Sequence, residues 1–234
     1  MTKVGIPQAL LYYQYYPMWR TFFEQMGVEV VVSEPTTKTV IAAGAARVVA
    51  ETCLPVKVYC GHVISLTDKC DFMFVPSIRS LERKVYNCSN FLGLPDVVKA
   101  VVPECPPILD PDIDLNQGKR GLYAAIYSLA RPFTWNPFRV KEAAEAAWQD
   151  HLDYQSFMRR EALMPPEAMA KIMGIPLPIG ADGGRNVASF PKPTMTIALI
   201  GHPYILYDDY VTHKIIEKLK SFGTRVVKIG RAHV

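Results

Sequence analysis

No stretch of this 234-residue sequence approaches the roughly 20 consecutive apolar residues that a membrane-spanning helix needs, so no such helix is expected. The opening MTKVGIPQAL lacks the layout of a secretory signal, because its apolar segment is short and tyrosines follow it. Lys and Arg never gather into a run and the net charge is only +4, which argues against a nucleic-acid partner. No CxxC spacing occurs, so neither a zinc ribbon nor a ferredoxin-type site is indicated. The glycine-rich Gly180 to Arg185 lacks the Gly-Lys-Ser/Thr ending of a phosphate-binding loop and reads as linker. Gly5 and Gly201 follow strand-like runs, but no GxGxxG continues from either, which removes the dinucleotide fingerprint. These absences leave a cytoplasmic protein with no nucleic-acid and no membrane partner as the expectation.

Half of the residues are apolar and about a fifth are charged, a balance suited to a globular protein whose core needs no disulfide staples. Five cysteines are an odd count in a long chain, so metal binding, redox chemistry or plain burial suit them better than a disulfide framework.

Val4 to Ile6, Val28 to Val32 and Asp71 to Val75 read as short buried strands, separated by helical stretches at Tyr15 to Met26, Thr39 to Ala50 and Pro55 to Leu66. Such alternation predicts βαβ units and a parallel sheet. A helical middle follows, over Lys119 to Phe133, Phe138 to Leu163 and Pro165 to Met173, with Trp148, Leu152 and Met158 expected on a buried side. Ile175 to Pro193 is rich in Gly and Pro and reads as a linker.

At an offset of 196 the sequence starts over: Gly5-Ile6-Pro7 meets Gly201-His202-Pro203, Leu10 meets Leu206, Gly27 meets Gly223, and Val30-Val31 meet Val226-Val227. The order of elements predicts a duplicated βαβ start. The expected fold class is α/β, a Rossmann-like parallel-sheet domain with a helical insert and the start of a second, similar domain. Its boundaries fall at 1–115 for the first domain, 116–175 for the insert, 176–193 for the linker and 194–234 for the second copy. Two strands and one helix do not bury a core. The second copy is therefore expected to be cut short, or to dock on the first domain or on another chain.

Ligands of parallel α/β sheets bind at the strand carboxyl ends, where the helix N-termini also lie. Cys53, just before the helix opened by Pro55, and Cys88, in a long loop expected over Ser77 to Leu94 after the third strand, both belong to that edge. Cys70 and Cys105 precede strands and belong to the opposite edge, while Cys60 lies inside the helix. A helix N-terminus stabilises a thiolate, and Lys57, one turn on, adds positive charge. Tyr86, Asn87 and Asn90 are placed to donate hydrogen bonds to sulfur. The competing reading is that these are ordinary buried cysteines. Tyr12, Tyr13 and Tyr15 offer hydroxyls to a pocket at this edge, or simple aromatic packing. His202 and Tyr204 occupy the corresponding edge of the second copy, with Asp208 or Asp209 as a helix cap. Glu51 is expected to cap the Pro55 helix or orient a ligand, and His62 to end a helix turn or reach the site.

The segments VGIPQALLYYQYYPMWRTFFEQMGVEVVVSEPT, ETCLPVKVYCGH, SIRSLERKVYNCSNFLGLPD and IALIGHPYILYDDY carry a family resemblance. They resemble the 2-hydroxyacyl-CoA dehydratase-related proteins, and more narrowly the acyl-CoA dehydratase activase-related branch, over most of 1–110 and 194–230. The resemblance implies a [4Fe–4S] or related cluster held by cysteines of repeated α/β domains. Cys53 and Cys88 match the family's cysteine positions, and a further ligand is expected from the second domain. It also implies, in the dehydratases proper, an ATP-driven activase that injects one electron, which passes to a 2-hydroxyacyl-CoA thioester whose ketyl radical expels hydroxide. An activase or homologous subunit, an acyl-CoA and a homo-oligomeric assembly are the implied partners. No actin-like phosphate motif is present, so ATP hydrolysis is not assigned to this chain. The alternatives are a non-catalytic small-ligand-binding module and an assembly subunit with inert cysteines.

Overall fold

The computed structural model describes residues 1–161, 163–174 and 195–229. The linker assigned to Ile175–Pro193, with Gly180 to Arg185 inside it, lies outside the described residues. Two compact units divide within a long helix: 1–151 and 152–233.

In the first unit, β1 (Lys3–Ile6), β2 (Glu29–Val32), β3 (Phe72–Phe74) and β5 (Ile108–Leu109) form a parallel sheet in the order β2-β1-β3-β5. Its strands are short and β-branched or aromatic, and Val4 and Met73 are fully buried. Helix α1 (Tyr12–Gln25) joins β1 to β2 and packs Trp19 and Phe23 on Phe74 of the sheet, with ring centroids 4.7 and 5.3 Å apart. The helix starts three residues before the expected Tyr15, because Tyr12 and Tyr13 are drawn into its buried face, and it holds Pro17 in its interior. Its stop is Gly27, at φ +78°, a left-handed conformation that glycine adopts without strain.

The return from β2 to β3 runs through α2 (Lys38–Ala45) and α3 (Leu54–Leu66). Thr37 caps α2 by accepting from the Val40 N–H. Helix α2 ends at Ala45, short of the expected Ala50. Residues after it turn sharply, with Arg47 reaching across to Glu104 at 2.6 Å. The two helices touch backbone to backbone: a Cβ on Gly44 would stand 1.9 Å from the Lys57 carbonyl oxygen, and one on Gly61 2.0 Å from the Val40 carbonyl oxygen.

The segment Ser77 to Leu94, expected as one long loop, is structured. Beyond Pro76 and Pro111 the β3–β5 pair continues as β4 (Ser77–Ser80) and β6 (Asp112–Asp114), a separate parallel pair. The prolines remove two ladder donors and bend the chain, which splits one ribbon into two sheets. Helix α4 (Ser89–Leu92) and helix α5 (Leu94–Val101) then lead to β5. Helix α6 (Gly118–Ala130) and the part of helix α7 (Pro137–Glu161) up to His151 complete the unit, and Phe133 between them packs on Phe23 and Phe72. The buried residues of α7 are Val140, Ala143, Ala147, His151 and Tyr154, whereas Trp148 and Leu152 are exposed and Met158 is half-buried. The expected buried side of α7 is therefore corrected. Val140, Ala143, Ala147 and Tyr154 face inward there, and Trp148 and Leu152 do not.

The second unit contains α8 (Pro165–Met173), then β7 (Met195–Ile200), α9 (Pro203–Leu206), α10 (Ile215–Ser221) and β8 (Thr224–Ile229). β7 and β8 pair in parallel, and Gly223 stops α10 at φ +72°, as Gly27 stops α1. The registers differ between the copies: Lys3 pairs with Glu29, but Met195 with Thr224, so the second βαβ carries three more residues between paired positions. Gly5 accordingly sits within β1, while Gly201 lies just after β7.

Candidate functional site

The strand order reverses direction around β1: the chain leaves β1 for β2 on one side, then crosses back to β3 on the other. In open parallel sheets this reversal leaves a crevice outside the carboxyl ends of the two strands that flank it. The segments that leave β1 and β3, and the mouth of α3, converge on that edge.

Cys53 is the N-cap residue of α3 and Cys88 the N-cap residue of α4. Both have extended backbone, and neither thiol caps its own helix. The Cys53 carbonyl accepts from the Val56 and Lys57 N–H groups at 3.1 and 3.2 Å, and the Cys88 carbonyl accepts from Phe91 N–H at 3.0 Å. Both cysteines are exposed. Asn90, in the first turn of α4, donates its side-chain amide to Cys53 Sγ at 3.4 Å. The α4 start that Cys88 caps is thus joined to Cys53, 35 positions earlier, through Asn90. The loop carrying Cys88 is pinned to the sheet. Asn87 donates to the Ile78 carbonyl at 3.1 Å, and Ser77 donates to the Leu92 carbonyl at 2.8 Å.

The supporting residues divide. Asn90 reaches sulfur, whereas the Asn87 amide is turned to the backbone and Tyr86 is exposed. Lys57 donates to the Ala50 carbonyl at 2.7 Å, so its ammonium tightens the turn that presents Cys53. Glu51 is exposed two residues before Cys53, which itself holds the cap position. Tyr12 and Tyr13 are buried in an aromatic cluster with Tyr16, their rings packed edge-on or tilted at 5.2 and 4.6 Å. Tyr15 stacks on His151 at 5.0 Å, and burial with the nearby Glu82 carboxylate pushes its hydroxyl up to about 12.

His62 is fully buried rather than poised at a surface. Its ring nitrogens lie 2.9 Å from Ser33 Oγ and 2.9 Å from Thr36 Oγ1. Ser33 Oγ also accepts from the Gln8 N–H at 2.8 Å, which ties the loops after β1 and β2 to α3. Desolvation lowers the His62 pKa to about 4, so the ring is neutral across the physiological range. In the second unit, His202 is the exposed N-cap of α9 and stacks on Tyr204 with ring centroids 5.0 Å apart. Asp208 accepts from the Tyr210 and Val211 N–H groups at 3.0 and 2.9 Å and so closes a turn between α9 and α10; the N-cap of α10 is Lys214, not the expected aspartate.

The other three cysteines differ in kind. Burial pushes the Cys60 and Cys70 thiols up to about 11 and the Cys105 thiol up to about 12, and Cys70 donates to the Leu66 carbonyl at 3.3 Å. A cavity of about 390 Å³ lies between residues 108–112 and α6, lined by Asp110, Asp112, Gln117 and Ser128 but by neither exposed cysteine. Among the described residues no group of three or more His, Cys, Asp or Glu side chains is arranged to hold a metal ion.

No curated protein and no solved structure matches this chain. A family match covers residues 3–229, from the first residue of β1 to the last of β8, and by it the chain belongs to the family described as CoA enzyme activase uncharacterised domain (DUF2229).

Proposed function

We propose that this chain supplies Cys53 and Cys88 to an iron–sulfur cluster in a protein that serves a CoA-dependent enzyme. The observation that carries the reading is a pair of exposed N-cap cysteines on separate helices, with Asn90 of the helix that Cys88 caps donating its amide to Cys53 Sγ. Helix N-termini favour negative charge, and an amide donor to sulfur lowers the charge density on a ligating thiolate. The donor set fits a thiolate-ligated cluster in type and setting. It holds two of the roughly four ligands that such a cluster takes, so the remainder comes from outside the described residues. When bound, the cluster supplies one-electron chemistry, which for a CoA enzyme of the dehydratase kind means reduction of an acyl-CoA thioester. The chain's own residues present the two thiols, hold α3 against α2, and keep the neighbouring loops in register through Ser33, His62 and Thr36.

Anaerobic incubation with ferrous iron and sulfide tests this. Broad absorbance near ~400 nm is expected, together with protection of Cys53 and Cys88 from alkylation, read by mass spectrometry. Equal alkylation of both residues with and without iron and sulfide rules the reading out.

A further inference from the structure

The region between Asp114 and Glu142 contains no acidic residue and five basic ones, Lys119, Arg120, Arg131, Arg139 and Lys141, more positive charge than the net +4 of the whole chain. Folding concentrates part of it. The turn from α6 to α7 brings Arg131, Arg139 and Lys141 to one end of the two helices, and Trp135 and Phe138 on the same turn are 79% and 75% exposed. Arg131 lies over the Trp135 ring at 5.1 Å from its centroid.

These aromatics are not exposed through looseness. Asn136 accepts from the Phe138 and Arg139 N–H groups at 3.0 and 3.4 Å and so caps α7, and Tyr127 donates to the Pro137 carbonyl at 3.1 Å. Thr134 Oγ1 accepts from the Asn136 N–H at 3.2 Å, and Arg139 donates to the Gln25 carbonyl at 3.1 Å. Phe133, within the same turn, is anchored on Phe23 and Phe72. A rigid turn therefore holds two large aromatic rings in water beside Arg131, while Arg139 reaches the Gln25 carbonyl and Lys141 stands 3.7 Å from Glu145 in an exposed ion pair.

We propose that the α6–α7 turn docks on an anionic lipid surface, with Trp135 and Phe138 entering the headgroup boundary and Arg131, Arg139 and Lys141 meeting lipid phosphates. Amphipathic aromatic rings sit at the headgroup level, and each cation near an anionic bilayer adds attraction that salt screens. The projecting turn requires no complementary pocket, which favours a planar anionic surface over a protein partner. The contact is peripheral; among the described residues no helix is long and apolar enough to cross a membrane. It goes beyond the expectation of no membrane partner, which rested on the lack of a long apolar stretch.

The test uses the intact chain with vesicles of phosphatidylcholine containing 30% phosphatidylglycerol, and with pure phosphatidylcholine. Co-sedimentation with the anionic vesicles, weakened by added salt, and a blue shift of tryptophan emission absent in W135F are expected. The double variant Trp135→Ala with Phe138→Ala should partition at least about tenfold more weakly while keeping its far-ultraviolet circular dichroism. R131Q, which keeps the aromatics, should lose much of the preference for anionic vesicles. No partition at low salt, or partition unchanged in the double variant, overturns the proposal and returns the turn to a protein partner.

Discussion

Cys53 and Cys88, at the carboxyl edge of the four-stranded sheet, are exposed helix N-caps, whereas Cys70 and Cys105, at the amino edge, and Cys60, within α3, are shielded and hold their protons to about pH 11 or 12. The residue type is the same and the backbone context decides the chemistry. At the carboxyl edge the chain must turn from strand to helix, so the cap residue stands in water with N–H groups behind it. At the amino edge the chain enters the strand from the packed end of a helix, and the thiol is folded under it. The difference teaches that cysteine count carries little information until the direction of the strands is known.

The largest break in this contrast should come from the α2–α3 contact. Gly44→Ala places a methyl against the fixed Lys57 carbonyl, so α3 must move away from α2. We expect a loss of about 3 kcal/mol or more in denaturant unfolding, together with new alkylation of Cys60, which erases the distinction between helix mouth and helix interior. A Gly44→Ala protein of unchanged stability would contradict the packing.

Next in size is thiol reactivity itself. With burial pushing their thiols up to about 11 or 12, Cys60, Cys70 and Cys105 should react with iodoacetamide at pH 8 far more slowly than the exposed Cys53 and Cys88. Time-resolved peptide mapping reads all five rates in one experiment, and comparable rates would remove the contrast.

His62 supplies a pH signature for the carboxyl-edge scaffold. Its folded pKa of about 4 lies below the ordinary 6.5, so the unfolded chain binds more protons between these values. The stabilisation is fully present above about pH 6.5 and is lost as the pH falls toward 4, by an amount on the order of 3 kcal/mol. His62→Gln should flatten this slope in pH-dependent unfolding, leaving the part due to His151, whose pKa burial also lowers.

The smallest effect is expected from Asn90→Ala. Its bond to Cys53 Sγ is exposed, so stability should change by less than about 0.5 kcal/mol. The iron- and sulfide-loaded protein should nonetheless show an altered absorption spectrum, because the amide donor to sulfur is gone. A change in stability with no change in spectrum would make Asn90 merely structural.

Much of the fold was legible in residue order. β-branched strands alternating with helical stretches predict the parallel sheet, Pro165 to Met173 is a helix as expected, and Gly27 and Gly223 stop their helices in both copies. The placement of Cys53 at a helix start followed from chain direction and from Pro55, whereas Cys88 caps α4 within a segment expected as a loop. Other features were not legible because they depend on pairs distant in sequence. Gly44 meets α3 and Gly61 meets α2, yet each alone reads as an ordinary helix glycine. Trp148 and Leu152 follow a helical spacing, but the face that packs is the one carrying Val140, Ala143, Ala147, His151 and Tyr154. The strands β4 and β6 were missed because each is short and gains its identity only by pairing with the other.

Sequence by itself determined the α/β class, the duplicated start and the edge to which each cysteine belongs, because these depend on local periodicity, turn residues and chain direction. Tertiary structure decided the rest. It buried His62 in a hydrogen-bonded network, turned Lys57 to a backbone carbonyl, brought Asn90 from α4 to Cys53, and gathered Trp135, Phe138 and Arg131 on one turn. The physical reason is that burial and partner choice are properties of contacts between distant segments, and a linear pattern does not encode which segment arrives.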